Sequence, residues 1–237
     1  MDLGIRGRTA LVTAASKGLG LGAARALAAE GCNVALNARD AVRLRTVADE
    51  LPAPTLALPE DVTDASAPAR LVDATVERFG GLDILVANAG GPPPARALDL
   101  DDEAILAAVE ANLLTSIRLV RAAVPHMRAA GWGRIVLIAS FSVKQPIPTL
   151  AASNVARTGL WAWAKTAAAD LVPDGITLNV LCPGLHATDR VRELGHTGRL
   201  GDPDDFGRLA AFLCSTHAGF ISGTALQVDG AATLGLL

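Results

Sequence analysis

Thr9-Ala10-Leu11-Val12-Thr13-Ala14-Ala15-Ser16-Lys17-Gly18-Leu19-Gly20 reads as a short apolar strand running straight into a glycine-bearing loop, and an Ala- and Leu-rich amphipathic stretch then continues to Glu30. Strand, glycine turn and helix in that order open a βαβ unit. Gly18 and Gly20 let the backbone approach a pyrophosphate closely, and the new helix directs unpaired N–H groups and its positive dipole end at that anion. Two glycines in isolation are a weak signal; their place between a first strand and a first helix makes them a dinucleotide-loop signature.

Outward from that loop the same alternation continues. NVALNA (33–38) follows the first helix, and further strands are expected at Thr55 to Leu58, Ile84 to Ala87, Arg134 to Ile138, Thr177 to Leu181 and Ala225 to Val228, with helical stretches between them. Seven strands separated by six helical segments predict one α/β domain over residues 1–237, a doubly wound parallel sheet covered on both faces. No low-complexity linker or internal repeat divides the chain, and Pro92 to Pro94 is too short to be one.

Composition narrows the function classes. The 237 residues carry 21 Lys plus Arg against 24 Asp plus Glu, a net charge of −3, without a basic run that would track phosphates, so nucleic acid is not an expected partner. No apolar stretch reaches the ~18–20 residues of a membrane span, and charges at Met1 to Arg8 stand where a signal peptide needs an apolar core. A cytoplasmic protein is expected. Cys32, Cys182 and Cys214 are too few and too scattered for a disulfide framework, and His126, His186, His196 and His217 lack metal-ligand spacing, so no metal site is expected. Tyrosine is absent, which excludes a phenol as acid or base.

At the end of the second strand, where dinucleotide folds place an acidic residue on the adenosine ribose, the chain has Asn37-Ala38-Arg39. Arg39 can grip a 2′-phosphate with its planar fork, and Lys17 adds a second positive charge. Together they favour NADP(H) over NAD(H).

These residues, with Asn88-Ala89-Gly90 after the fourth strand, resemble the short-chain dehydrogenase/reductase family, and the resemblance runs through Asp61-Val62, Asn112, Ser140, Pro183-Gly184 and Val228-Asp229-Gly230. It covers essentially the whole chain and looks most like the 3-oxoacyl-carrier-protein-reductase branch, although Ala14 stands at the usual first glycine. The resemblance implies a Rossmann-type fold and an oxidoreductase interconverting a ketone and a secondary alcohol, small or carrier-bound. It implies that Asp61 bonds the adenine amino group, that Asn88, Ala89 and Gly90 line the ribose and nicotinamide, and that Thr188 meets the carboxamide. It further implies that Ser140 bonds the substrate carbonyl, that Asn112 positions a relay water, and that the protein is a homotetramer or homodimer. The apolar segment Ala151 to Leu171, with Trp161 and Trp163, suits a subunit contact.

One departure falls on the chemistry. Thirteen residues after Ser140 the family has Tyr-x-x-x-Lys, and this chain has Ser153-Asn154-Val155-Ala156-Arg157. Ser153 and Arg157 are one turn apart on one helix face, so the geometry is retained while both functional groups change. A phenol titrates near ~10 and an aliphatic hydroxyl near water's ~15.7, a gap of on the order of 7–8 kcal/mol at ~1.36 kcal/mol per unit. Ser153 therefore cannot replace the phenol unaided. Lys144, four residues after Ser140, or a water held by Asn112 is the expected substitute donor, with Ser140 and Ser153 as hydrogen-bond donors. Two other functions stay open: a cofactor-binding protein without redox turnover, and a non-redox cyclase, dehydratase or isomerase using Ser140, His186 or Lys144. Leu185 to Leu200 is expected to form a short flap that leaves the cleft open, with Arg190, Arg192 and Arg199 facing water or an acidic group.

Overall fold

Strands buried on both faces are near-continuous apolar runs, and seven such runs form one all-parallel sheet in the computed structural model, which describes every residue except Leu194, His196, Thr197 and Leu237. The strands are β1 (Thr9–Val12), β2 (Asn33–Ala38), β3 (Thr55–Pro59), β4 (Ile84–Ala87), β5 (Gly133–Ile138), β6 (Ile176–Pro183) and β7 (Ala225–Val228), in the order β3-β2-β1-β4-β5-β6-β7. All seven fall where the sequence predicts them, β6 extending through Cys182 to Pro183.

The helices are α1 (Gly18–Ala29), α2 (Ala41–Glu50), α3 (Ala67–Phe79), α4 (Asp102–Val109), α5 (Thr115–Ala130), α6 (Ala151–Leu171), α7 (Asp189–Glu193) and α8 (Pro203–Leu213). Alternate strand residues sort into two cores. Val12, Leu36, Val86 and Val136 pack with Leu27, Leu44 and Phe206 of α1, α2 and α8; Leu11, Leu85, Ile135 and Leu137 pack with Leu71, Leu119 and Leu160 of α3, α5 and α6. The α1–α8 contact is backbone-close: a Cβ on Gly22 would stand 2.1 Å from the Pro203 carbonyl oxygen, and one on Gly207 2.1 Å from that of Gly22.

Local chemistry sets the helix ends. Asp40 caps α2 through Val42 N–H and Arg43 N–H, Asp202 caps α8 ahead of Pro203, and Gly80 ends α3 in the left-handed region. Between α4 and α5 the turn Glu110–Leu114 widens to π geometry, carrying Asn112. None of the described helices is long and apolar enough to cross a membrane.

Sheet order reverses between β1 and β4, which opens a crevice at the carboxyl ends of these strands, where ligands bind in doubly wound sheets.

Candidate functional site

At the switch point Thr13 ties the two diverging strands together: its hydroxyl donates to the Asn88 carbonyl at 2.7 Å and accepts the Asn88 N–H at 2.8 Å. The loop then turns at Ala14, which takes φ +48°, a left-handed conformation that costs an L-residue roughly 1–2 kcal/mol. The turn is held because Ala15 N–H bonds the Asn37 carbonyl at 2.9 Å, and Gly20 passes so close that its Cβ would stand 2.4 Å from the Ala14 oxygen. No side chain caps α1 and its first turn holds no acid, which leaves its leading N–H groups to an anion.

Two cavities meet along this loop. The first, about 530 Å³, is lined by Ser16, Lys17, Arg39, Arg43, Asp61 and Val62 among others, and has Ala89 and Gly90 as its far wall. Asn37 is a structural residue within it, its amide nitrogen donating to Leu58 and Glu60 carbonyls. Asp61 is held below the usual carboxylate range first by the Thr63 N–H and then by the Thr63 hydroxyl, with Arg39 adding a weaker pull at 3.9 Å.

Arg43 is a site residue that the sequence reading missed. Its Nε donates to the Ser16 carbonyl at 3.1 Å, which fixes the guanidinium at the glycine loop. The signal available was its spacing, four residues beyond Arg39, because the strand end and first helical turn bring both toward one pocket. Asp189 of α7 stands 4.0 Å from Lys17 Nζ and 3.5 Å from Arg43.

The second cavity, about 300 Å³, brings together Gly18, Leu19, Asn88, Ser140, Ser153, Arg157, Pro183, Gly184, Thr188 and His186. Ser140 Oγ accepts the Ser142 N–H at 3.1 Å, so its own proton is free to be donated. Arg157 is buried and donates to the Ile138, Ala139 and Ala89 carbonyls at 2.9, 3.2 and 3.3 Å. Burial, and then the nearby Arg190, push its guanidinium down to about 10, so it is still cationic at neutral pH. His186 is walled in: Nδ1 faces the Gly184 carbonyl at 3.2 Å, the ring packs edge-on against Phe206, and Nε2 lies against Gly201.

Two expected members stand elsewhere. Lys144 does not line this cavity; its ammonium lies 5.1 Å over the Trp161 ring of α6, drawn there by cation–π attraction. Asn112 lines neither of these two cavities; the π turn sets it in the wall of a separate hollow beside the Gly90–Pro93 loop, with its amide atoms buried. The region 185–200 also differs from expectation. Among the described residues of this segment, Arg190 of α7 reaches across to the Gly91 and Pro92 carbonyls at 3.0 and 3.1 Å, so one side chain bridges the cleft that was expected to stand open; His196 lies outside the described residues.

Known proteins share this chain's sequence pattern and fold. A family model described as enoyl-(acyl carrier protein) reductase matches residues 13–233. D-beta-hydroxybutyrate dehydrogenase of Rhizobium meliloti (strain 1021) is 33% identical over 254 residues, covering 95% of this chain and 98% of the relative. Dehydrogenase/reductase SDR family member 4 of Sus scrofa is 31% identical, covering 95% and 87%. Among solved structures, L-sorbose reductase from Gluconobacter frateurii complexed with NADPH and L-sorbose superposes with a TM-score of 0.92 at 31% identity, covering 99% of this chain and all of that one.

Proposed function

The chain belongs to the short-chain dehydrogenase/reductase family, and from that premise we propose that it is an NADP(H)-dependent oxidoreductase interconverting a ketone and a secondary alcohol without the usual Tyr acid/base. One observation carries the reading: a nucleotide pocket, where Lys17, Arg39 and Arg43 stand among the acids Asp40, Glu60 and Asp61, shares the wall Ala89–Gly91 with a serine-lined cleft holding Ser140, Ser153 and Arg157. The NADPH complex of the sorbose reductase supports the cofactor. The residues fit it: the N-terminal amides of α1 are uncapped, and Gly20 leaves the close approach that a Cβ would block.

A bound nicotinamide supplies or accepts the hydride. The chain's own groups orient the carbonyl and meet the charge that develops on its oxygen. Ser140 and Ser153 donate hydrogen bonds to that oxygen, and the buried Arg157 cation lowers the cost of negative charge there. The proton comes from water in the cleft. Lys144 is held over Trp161 and Asn112 lines a separate hollow, so neither donor expected from sequence reaches the cleft, and this water passes on a proton drawn from bulk solvent. Asp61 and Val62 take the adenine side, Asn88, Ala89 and Gly90 the ribose side, and Thr188 of the 185–200 flap the carboxamide. The substrate is a small or carrier-bound hydroxy or oxo compound of the carrier-protein-reductase branch. The protein works in the cytoplasm as a homodimer or homotetramer joined through α6.

Loss of reduced-nicotinamide absorbance, followed with NADPH against a panel of hydroxy ketones and 3-oxo acids and thioesters, tests this reading. Turnover that persists in Lys144→Ala and falls at least tenfold in Ser140→Ala is the expected result. Tight NADPH binding with no oxidation on any of these compounds favours the rival reading, a cofactor-binding protein. That rival draws support from Arg157, whose guanidinium is committed to three backbone carbonyls.

A further inference from the structure

Reducing a carbonyl takes two deliveries, a hydride to its carbon and a proton to its oxygen, and the serine-lined cleft has no described side chain placed to make the second. Among the described residues its titratable groups are Lys17, Arg157, His186, Asp189 and Arg190. The Lys17 ammonium stands 4.0 Å from the Asp189 carboxylate, which also faces Arg43 at 3.5 Å; an ion-paired carboxylate accepts hydrogen bonds and has no proton to give. His186 is 4% exposed, with Nδ1 on the Gly184 carbonyl, and a Cβ on Gly201 would stand 2.8 Å from its Nε2. Arg157 directs its guanidinium at the Ile138, Ala139 and Ala89 carbonyls, and Arg190 at those of Gly91 and Pro92. Ser140 and Ser153 remain. An aliphatic hydroxyl, with an acidity near water's ~15.7, donates a hydrogen bond without surrendering its proton.

The same residues discriminate among the acids that a substrate could carry. A carboxylic acid is already ionised at neutral pH. An ammonium would have to enter beside Lys17, Arg157 and Arg190, with Asp189 the one acid of the described lining, and like charges at close range repel. A phenol enters uncharged, titrates near ~10, and turns anionic only as it gives up its proton. Arg157, buried one turn beyond Ser153 on α6, is a fixed cation for that charge. Ser140 and Ser153 are short, and Leu150 and Val191 give the cleft apolar lining for a ring.

We propose that the substrate brings its own acid: it is an aryl ketone with a phenolic hydroxyl ortho to the carbonyl, its proton already directed at the carbonyl oxygen. The proposal rests on the oxidoreductase reading of this cleft and changes only which group hands over the proton. The carbonyl carbon accepts a hydride from the reduced nicotinamide, which is thereby oxidised, and forms a C–H bond. The π pair of the carbonyl moves to its oxygen, which takes the phenolic proton. The phenol O–H pair stays behind on a phenolate near Arg157, and water returns a proton to it from bulk solvent.

2′-Hydroxyacetophenone is the probe, with 2′-methoxyacetophenone (no proton) and 4′-hydroxyacetophenone (a phenol out of reach) as controls. Initial rates of the full chain with NADPH near neutral pH are read as product alcohol by chromatography. General acid catalysis contributes about 10²- to 10⁴-fold, so kcat/KM for the ortho phenol is expected to exceed both controls by about 100-fold or more. Ser153→Tyr supplies a phenol from the chain and is expected to bring the ortho-hydroxy to methoxy ratio below about tenfold; comparing that ratio between the two enzymes cancels the intrinsic reactivities of the ketones. NADPH affinity and the melting temperature show that the variant is folded, and the wild-type ratio tests the proposal if it is not. An ortho phenol reduced no faster than its controls, or a ratio that a folded Ser153→Tyr leaves unchanged, overturns the proposal and leaves the oxidoreductase reading standing. Turnover of hydroxy ketones or 3-oxo compounds with none of the three aryl ketones does the same. No reduction of any of these compounds overturns the proposal and the reading together.

Discussion

Arg43→Ala isolates the cofactor's 2′-phosphate from the rest of the nucleotide. A charge-assisted hydrogen bond contributes about 1.5–3 kcal/mol, and here little ordering cost is subtracted, because Nε is already bonded to the Ser16 carbonyl at 3.1 Å. What must be subtracted is the exposed contact with Asp189 at 3.5 Å, which the phosphate would displace; such pairs contribute about 0.2–1 kcal/mol. The balance is about 0.5–2.8 kcal/mol, or roughly 2- to 100-fold in Kd. Parallel fluorescence titrations with NADPH and NADH at one fixed ionic strength read it directly: NADPH weakens by that factor and NADH stays within twofold. Asp189→Asn has the opposite sign, since it frees both Lys17 and Arg43, and tightens NADPH about two- to fivefold. Both effects shrink as salt rises. Equal weakening of NADH and NADPH in Arg43→Ala would refute the reasoning, since it would make Arg43 a support for the Ser16 loop and not a phosphate ligand.

Other expectations rest on different parts of the molecule. Gly22→Ala puts a Cβ 2.1 Å from the Pro203 oxygen and must push α8 from α1; overpacking of this kind costs about 1–3 kcal/mol, so Tm falls by about 2–12 °C for a chain of this size. Gly81→Ala, with nothing within 4 Å, is the control and leaves calorimetric Tm within a degree or so. Arg157 titrates at about 10 in the fold, below the ordinary guanidinium range, so above pH 10 the unfolded chain holds the proton that the fold has released. Stability of the wild type relative to Arg157→Met therefore rises with pH above about 10, by on the order of 1 kcal/mol per unit, and urea midpoints at pH 9 and 11 give the sign. The thiols of Cys32 and Cys182 are pushed up to about 12 by burial, and that of Cys214 is raised by the same cause. Ellman's reagent at pH 8 is expected to find none of them in the native protein and all three in denaturant.

The fold was legible because its signals are local. Each strand is a short β-rich run, and Thr9 to Gly20 joins strand, loop and helix within twelve residues. The glycine loop between β1 and α1 was legible for the same reason, as was the shared helix face of Ser153 and Arg157, which helix periodicity settles. Arg43 was hidden because its role depends on where the first turn of α2 meets the glycine loop, a contact between segments 27 residues apart. Lys144 was misleading: its nearness in sequence to Ser140 suggested the cleft, while the Trp161 ring, seventeen residues further on, determines where the ammonium lies.

Residue order therefore determines that this chain builds a parallel seven-stranded sheet, that a glycine-bearing loop follows its first strand, and that no phenol stands one turn before position 157. Those are statements about periodicity, spacing and identity, which the sequence carries outright. Tertiary structure decided the directions of side chains: Arg157 inward onto three carbonyls, Arg190 across the cleft to Gly91 and Pro92, Lys144 over the Trp161 ring. The physical reason is that a long or amide-bearing side chain goes where partners brought from other strands and helices can satisfy it, and those partners are set only when the sheet has closed around them.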